Sequence, residues 1–190
     1  LVSTENPLTA RVVVNRHWAA FFGEGIVSTL DDFGMQGQLP RNQALLDHLA
    51  VTLMEKGWSL KKLHRIIVTS QAYQQRSVIE SGTSKQFLRQ RLEAEIIRDS
   101  ALRASGLLSE KMFGPPVRPP QPANVSEVAY GSPKWNASKG EDRFRRSIYT
   151  YQKRTAPLAF LTTFDAGSGE ACLAKRDRSN TPLQALTLML

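Results

Sequence analysis

Residues 6–23 read NPLTARVVVNRHWAAFFG and carry the signals for both ends of one helix. Asn6 is a favourable N-cap, and Pro7 suits the first helical turn because the amide hydrogen that proline lacks has no partner there. Gly23 is a typical helix stop. Apolar side chains recur at helical spacing between these signals, so the stretch predicts an amphipathic helix from Leu8 to Phe22.

Three further helices are predicted in the same half of the chain. Pro40 opens the second, which ends at Gly57, and Ser59 caps the third. The fourth spans roughly residues 84–105 and contains EAEIIRDSALRAS, the strongest helix-forming segment of the sequence. The pattern therefore predicts a helical half over residues 1–106.

The character of the sequence changes after Gly106. Five of the ten prolines lie in residues 115–122, PPVRPPQP, and this density predicts a polyproline-like strap or linker rather than a helix or central strand. Residues 144–151, FRRSIYTY, favour one strand or extended segment. A short helix is predicted over residues 157–164, and a cap followed by proline at 181–182 predicts a terminal helix.

The predicted fold class is mainly α: an irregular helical domain with a proline-rich strap and at most one small β element. We expect a single domain over residues 1–190, with the strap, extended segment and terminal helix forming a second part at 107–190. Both ends are expected to lie inside a longer protein. No methionine precedes Leu1, and the last helical stripe stops at Leu190 without the usual C-terminal signals.

The composition excludes several classes of protein. The 190 residues include 25 Lys and Arg against 17 Asp and Glu, a net charge of +8. Residues 1–60 carry 4 basic and 6 acidic side chains, residues 61–120 carry 11 and 5, and residues 121–190 carry 10 and 6. This basic excess fits a polyanionic partner or a solvated surface. A membrane span, a disulfide-stapled fold and a disordered tail are excluded by the short apolar runs, the single cysteine and the hydrophobic content.

The residue types that usually hold metals or act as nucleophiles form no recognised motif. His17, His48 and His64 lie on three different predicted helices, so each is expected to be a partly buried or surface residue, with a site built from separate helices left open. Cys172 is interpreted as structural rather than as a reactive thiolate beside Arg176. No CxxCH occurs, so we predict neither a metal nor a haem attached within this chain.

Three acidic residues are weak candidates for catalysis. Asp99 lies on the fourth predicted helix, and Asp165 and Glu170 lie in a predicted loop. Two carboxylates close together suit general acid–base chemistry. Ion pairing with nearby arginines is the favoured alternative.

Residues 143–155, RFRRSIYTYQKRT, form the densest candidate for binding. Arginine forks bind carboxylate, sulfate or phosphate groups, and neighbouring aromatic rings stack on sugars or bases. The competing interpretation is an amphipathic strand whose arginines pair with the three acids named above. The predicted anion- or partner-binding residues, two of them from a later loop, are Arg143, Arg145, Arg146, Tyr149, Lys153, Arg154, Arg176 and Arg178.

Residues 41–75 also fit a helix–turn–helix with Gly57 at the turn. Lys61 and Lys62 near the start of its second helix suit phosphates but not base edges, so nucleic-acid binding is only the third interpretation.

Several blocks occur together in a defined order. They are NPLTARVVVNRHWAAFFGEGIVSTLDDFGMQG, GWSLKKLHRIIVTSQAYQQ, RLEAEIIRDSALRASGLL, FGPPVRPPQP, DRFRRSIYTYQKRTAP, TFDAGSGEAC and RSNTPLQALTLML. In this respect the chain resembles domain of unknown function 1553, a planctomycete-specific C-terminal domain. The resemblance covers nearly the whole chain and departs from the family pattern at residues 151–155 and between Tyr73 and Phe87.

The resemblance implies a context rather than a reaction. Proteins with this domain often also carry a planctomycete cytochrome-c-like domain, so haem c is expected elsewhere in the parent protein. They typically look exported, which implies a periplasmic or otherwise exported location. No catalytic residues are established for the family, so the resemblance assigns none to this chain.

The leading hypothesis is a non-catalytic binding or scaffold module of a larger exported, redox-associated protein. Its partners are expected to be neighbouring domains of that protein or an anionic polysaccharide. The alternative is a hydrolase that acts on an anionic polysaccharide through Asp99, Asp165 or Glu170. Whether the chain is an enzyme is left open, with a non-enzymatic role favoured.

Overall fold

A computed structural model describes residues 1–3, 5–75, 90–122, 125 and 134–189. Within these residues the protein is mainly helical and has no sheet, which confirms the predicted fold class. The chain forms two compact units, Leu1–Gln90 and Arg91–Leu190. Their boundary precedes residue 106, where the sequence character changes. That the whole chain acts as a single domain stays a prediction.

The first unit contains four helices: α1 (Pro7–Phe22), α2 (Gln43–Glu55), α3 (Leu60–Val68) and the single turn α4 (Gln71–Gln74). The predicted ends of α1 are confirmed. The Asn6 side chain accepts hydrogen bonds from the amides of Leu8 and Thr9, and Gly23 ends the helix with a φ of 82°. A left-handed residue at this position favours glycine.

One detail of the second helix differs from expectation. Pro40 does not open α2; the side chain of Asn42 caps it by accepting from the Leu45 amide at 3.0 Å. Ser59 caps α3 as predicted, and α3 ends at Val68, before the single turn α4.

The core of the first unit lies between α1, α2 and α3. It consists of apolar side chains from the three helices and from the loop after α1, namely Val14, Ile26, Val27, Leu46, Leu49, Leu53, Leu63 and Ile67. Burial of this apolar surface is the main force that holds the short helices together.

The second unit contains α5 (Ala94–Ala104), α6 (Ala159–Thr163) and α7 (Pro182–Met189). The helices predicted near residues 157–164 and after 181 are therefore confirmed. The predicted fourth helix begins later than expected, because residues 90–93 are not helical and the Arg91 side chain reaches the carbonyls of Phe164 and Ser179. Its predicted start at residue 84 lies outside the described residues.

The proline strap runs beside residues 144–151, which are predicted as a strand or extended segment. One 3₁₀ turn, Gly140–Phe144, ends where this segment begins, and a second, Ser147–Tyr149, lies within it, while Arg145 and Thr150 have extended backbone. The segment is therefore extended in part and forms no regular strand. It pairs with the strap only locally: Val117 donates its amide hydrogen to Tyr149 and accepts one from Tyr151. Prolines on either side of Val117 lack amide hydrogens, so a longer ladder cannot form.

A small core supports this arrangement. Ala94, Leu158, Leu161 and Phe164 are buried together, and Trp135 packs against them. Among the residues described, no helix has the length and apolar character needed to cross a membrane.

Candidate functional site

Arg145 lies in the interior of the second unit, with 1% of its surface exposed. Its guanidinium donates hydrogen bonds to the backbone carbonyls of Lys111, Phe113 and Pro115, and it lies 3.9 Å above the ring centroid of Tyr149. A buried cation needs such acceptors because it has lost its hydration. A partner in solvent cannot reach this side chain, although it belongs to the predicted binding segment.

Arg98 anchors the same segment from α5. It donates to the carbonyls of Arg143 and Arg145, and to the hydroxyl of Ser147. Burial lowers the pKa of Arg98, an effect that the nearby Asp99 carboxylate opposes. The two buried arginines therefore cap backbone carbonyls, a use that the sequence pattern did not reveal.

The candidate acid Asp99 is engaged at the same place. Its carboxylate accepts hydrogen bonds from the amide and the hydroxyl of Ser147, both at 2.8 Å, and lies 3.8 Å from the Arg98 guanidinium. These bonds fix the turn after Arg146 against α5.

The candidate acid Asp165 is the centre of a polar cluster at the end of α6. Its carboxylate accepts from the amide and hydroxyl of Ser179 and from Arg91, with the Gln184 amide 3.5 Å away. Hydrogen bonds from Ser179, more than the Arg91 charge, lower the pKa of Asp165. This carboxyl group therefore stays ionised and serves as an acceptor that ties α7 to α6. The third acid, Glu170, is exposed in the loop that follows.

Arg176 forms an ion pair on the wall of a cavity of about 240 Å³. One of its terminal nitrogens lies 2.8 and 2.9 Å from the two carboxylate oxygens of Glu95, and Glu93 lies 3.8 Å away. The hydrogen bonds and charge of Glu95 raise the pKa of Arg176. This space, here called the α6 cavity, is also lined by Gln152, Leu161, Thr162, Gly167 and Leu173.

A second concave surface runs along α5 and has a volume of about 500 Å³. It combines apolar side chains with two arginines and is open to solvent. Arg103 is paired with Glu110, whereas Arg146 is exposed. This surface, here called the α5 groove, is lined by Ile96, Asp99, Ser100, Arg103, Ala104, Leu108 and Arg146.

The remaining predicted residues do not share one site with these. Arg143 is exposed and its guanidinium lies over the ring of the adjacent Phe144. Tyr149 accepts the Phe113 amide hydrogen, Lys153 is half-buried, and Arg154 and Arg178 are exposed. The structure thus distributes the predicted binding residues between buried supports, the two concave surfaces and open loops.

The described residues contain no group of three or more His, Cys, Asp or Glu side chains that is placed to hold a metal ion. The two recesses described above differ in charge: Arg176 and Glu95 form an ion pair on the wall of the α6 cavity, whereas Arg146 is an exposed cation on the rim of the α5 groove.

The family model described as PSD1, Protein of unknown function (DUF1553), matches residues 1–189. The chain belongs to this family. No curated protein and no solved structure matches the chain.

One close contact in the DUF1553 domain joins histidines from different helices. His17 Nδ1 on α1 lies 3.0 Å from His64 Nε2 on α3, and Phe21 contacts the edge of the His64 ring at a centroid distance of 5.2 Å. Sequence spacing could not find this pair, because the two residues are 47 positions apart. Burial, followed by the charge of His64, lowers the pKa of His17.

This pair predicts that the DUF1553 domain loses stability in mild acid. The unfolded state takes up a proton at His17 near pH 6.5, whereas the folded state does so only at lower pH. The contribution is therefore complete above pH 6.5 and declines as the pH falls. We expect a loss of under about 1 kcal/mol, because solvent screens this half-exposed pair.

Urea unfolding at pH 7.5 and pH 5.5 measures this effect. His17→Gln should flatten the difference in unfolding free energy between the two pH values, while His48→Gln, at an exposed position on α2, should keep it. Equal pH dependence in the wild type and H17Q would contradict the prediction.

Proposed function

We propose that this DUF1553 domain is a non-catalytic binding module, and that the α5 groove holds an acidic, partly apolar segment from a neighbouring domain of the same larger protein. The observation that carries the proposal is the position of Arg146, an exposed cation on the rim of a largely apolar recess.

The chemistry of the groove favours a peptide over a sugar chain. Ile96 is 48% exposed on α5, and Ala104 and Leu108 also line the groove, so apolar side chains can be buried there. Arg103 already has Glu110 as a partner, which leaves Arg146 to pair with a carboxylate. Apolar contacts supply affinity, and the rim charge supplies orientation and faster association.

The state of the candidate acids supports a non-catalytic role. Asp99 is occupied by Ser147, and Asp165 by Ser179 and Arg91. A carboxyl group with a lowered pKa, such as that of Asp165, is a poor proton donor and a poor base near neutral pH. No observation among the described residues favours the alternative of polysaccharide hydrolysis.

A direct binding experiment tests the groove. The probe is a fluorescein-labelled amphipathic helical peptide with leucines on one face and glutamates on the other. The domain is titrated into the peptide, and binding is followed by fluorescence anisotropy. We expect Arg146→Glu to weaken binding at least tenfold, because it replaces attraction by repulsion on the rim. The matched change Arg178→Glu, at an exposed loop position, should stay within twofold of the wild type.

Two results would refute this proposal. One is equal affinity of R146E and R178E for the peptide. The other is binding of a sulfated polysaccharide such as heparin without any binding of the peptide, since the partner would then be a polyanion rather than a protein segment.

We further propose that the parent protein is exported and redox-associated, and that it locates to the periplasm. Support comes from the resemblance to family members that carry a cytochrome-c-like domain. The test is to fractionate cells of the source organism, locate the intact protein with an antibody to this domain, and stain the same band for covalent haem. A cytoplasmic band without haem would refute this part of the proposal.

A further inference from the structure

The α6 cavity carries a second inference, which is independent of the α5 groove because the two recesses share no lining residue. We propose that the α6 cavity binds a single neutral, hydroxyl-rich molecule of monosaccharide size. Two observations carry this proposal: the two charged residues that line the cavity, Arg176 and Glu95, are paired with each other, and leucine side chains line another part of its wall.

The charge balance decides against an anion, although Arg176 has the side chain that an anion would seek. The guanidinium is held by both oxygens of Glu95, and Glu93 adds a second carboxylate nearby. An incoming carboxylate or phosphate would have to displace Glu95 and would meet its negative charge. A neutral ligand meets no such penalty.

The same wall presents donors and acceptors side by side. Arg176 uses one terminal nitrogen for Glu95, and its other N–H groups have no acceptor among the described residues. The Glu95 oxygens keep free lone pairs, and the amide nitrogen of Gln152 donates to Ser168, which leaves its carbonyl oxygen as an acceptor. Alternating donors and acceptors match hydroxyl groups, each of which donates once and accepts twice.

The other side of the cavity is apolar and small. Leu161 and Leu173 line it, and they suit the C–H face of a sugar ring. A volume of about 240 Å³ lies below the ~300–1,000 Å³ of sites for drug-sized ligands, so the space suits a single sugar ring.

Saturation-transfer NMR of the whole domain tests this inference with glucose, galactose, N-acetylglucosamine, myo-inositol and glucuronate as probes. We expect a signal from at least one neutral probe and none from glucuronate. Ala171 lines the cavity from an exposed position, so Ala171→Phe should abolish the signal by filling the space. Cys172→Phe is the matched control, because Cys172 is the exposed neighbour of Ala171 and does not line the cavity.

The ion pair is tested separately with Glu95→Gln/Arg176→Gln, which removes one charge of each sign and so leaves the net charge of the domain unchanged. Loss of the charged donors and acceptors should weaken the neutral probe about tenfold or more. The inference is overturned if no neutral probe binds, if glucuronate binds more tightly than the neutral probes, or if A171F and C172F bind alike. These outcomes leave the peptide experiment on the α5 groove unaffected.

Discussion

Arg145→Ala is expected to lower the free energy of unfolding by about 2–5 kcal/mol, because it removes a fully buried side chain together with the hydrogen bonds of its charged group. The guanidinium donates to three carbonyls in and just before the strap, those of Lys111, Phe113 and Pro115, and stacks on Tyr149. Truncation removes the donor that these carbonyls share and opens a cavity where the guanidinium was buried.

The neighbouring residue provides a matched control. Arg146 is exposed, so Arg146→Ala should change stability by no more than about 0.5 kcal/mol. Urea unfolding followed by far-UV circular dichroism measures both variants. If R145A unfolds at the same urea concentration as R146A, the buried arginine does not hold the strap in place.

This pair of arginines shows what sequence patterns can and cannot predict about the binding segment. The alternation of basic and aromatic residues predicted a binding segment, and that role stays a prediction. It could not tell Arg145 from Arg146, because burial of one depends on carbonyls about 30 residues away along the chain. Long-range contacts of this kind leave no local signal.

Local signals performed better for the helices. The caps at Asn6 and Ser59 and the stop at Gly23 are confirmed, since each depends on hydrogen bonds within a few residues. Residues 144–151, predicted as a strand or extended segment, form no regular strand, although their β-branched and aromatic composition favoured one. Their backbone is held by a hydrogen bond to α5, and the proline strap beside them cannot extend the local pairing into a ladder.

The alternative interpretation of the three acids, ion pairing with nearby arginines, is correct for Asp165 in the type of its partner only. It paired Asp165 with an arginine, and the structure places Arg91 there, outside the basic segment that suggested the pairing. Ser179 and Gln184 complete the cluster from residues that sequence reasoning had not singled out. Loop acids that receive several hydrogen bonds of this kind position the backbone instead of a substrate.

Asn15→Ala is expected to produce the other large loss of stability, about 2–4 kcal/mol. Asn15 is fully buried on α1, and its side chain makes two hydrogen bonds of 2.9 Å to Val27, one to the carbonyl and one from the amide. Removing the side chain leaves both backbone groups of Val27 buried and unpaired, at about 1–3 kcal/mol each. Asn180→Ala, at an exposed position, should change stability by less than about 0.5 kcal/mol.

A third variant separates hydrogen bonding from packing at this site. Asn15→Leu restores side-chain volume but supplies no donor or acceptor for Val27, so it should be nearly as destabilised as N15A in thermal and urea unfolding. The loop after α1 also lies close to the Asn15 side chain. A Cβ at Gly25 would lie only 2.8 Å from that side chain, so no residue larger than glycine fits there without a shift. If N15L is as stable as the wild type, packing alone holds the loop on α1, and the two hydrogen bonds to Val27 contribute little.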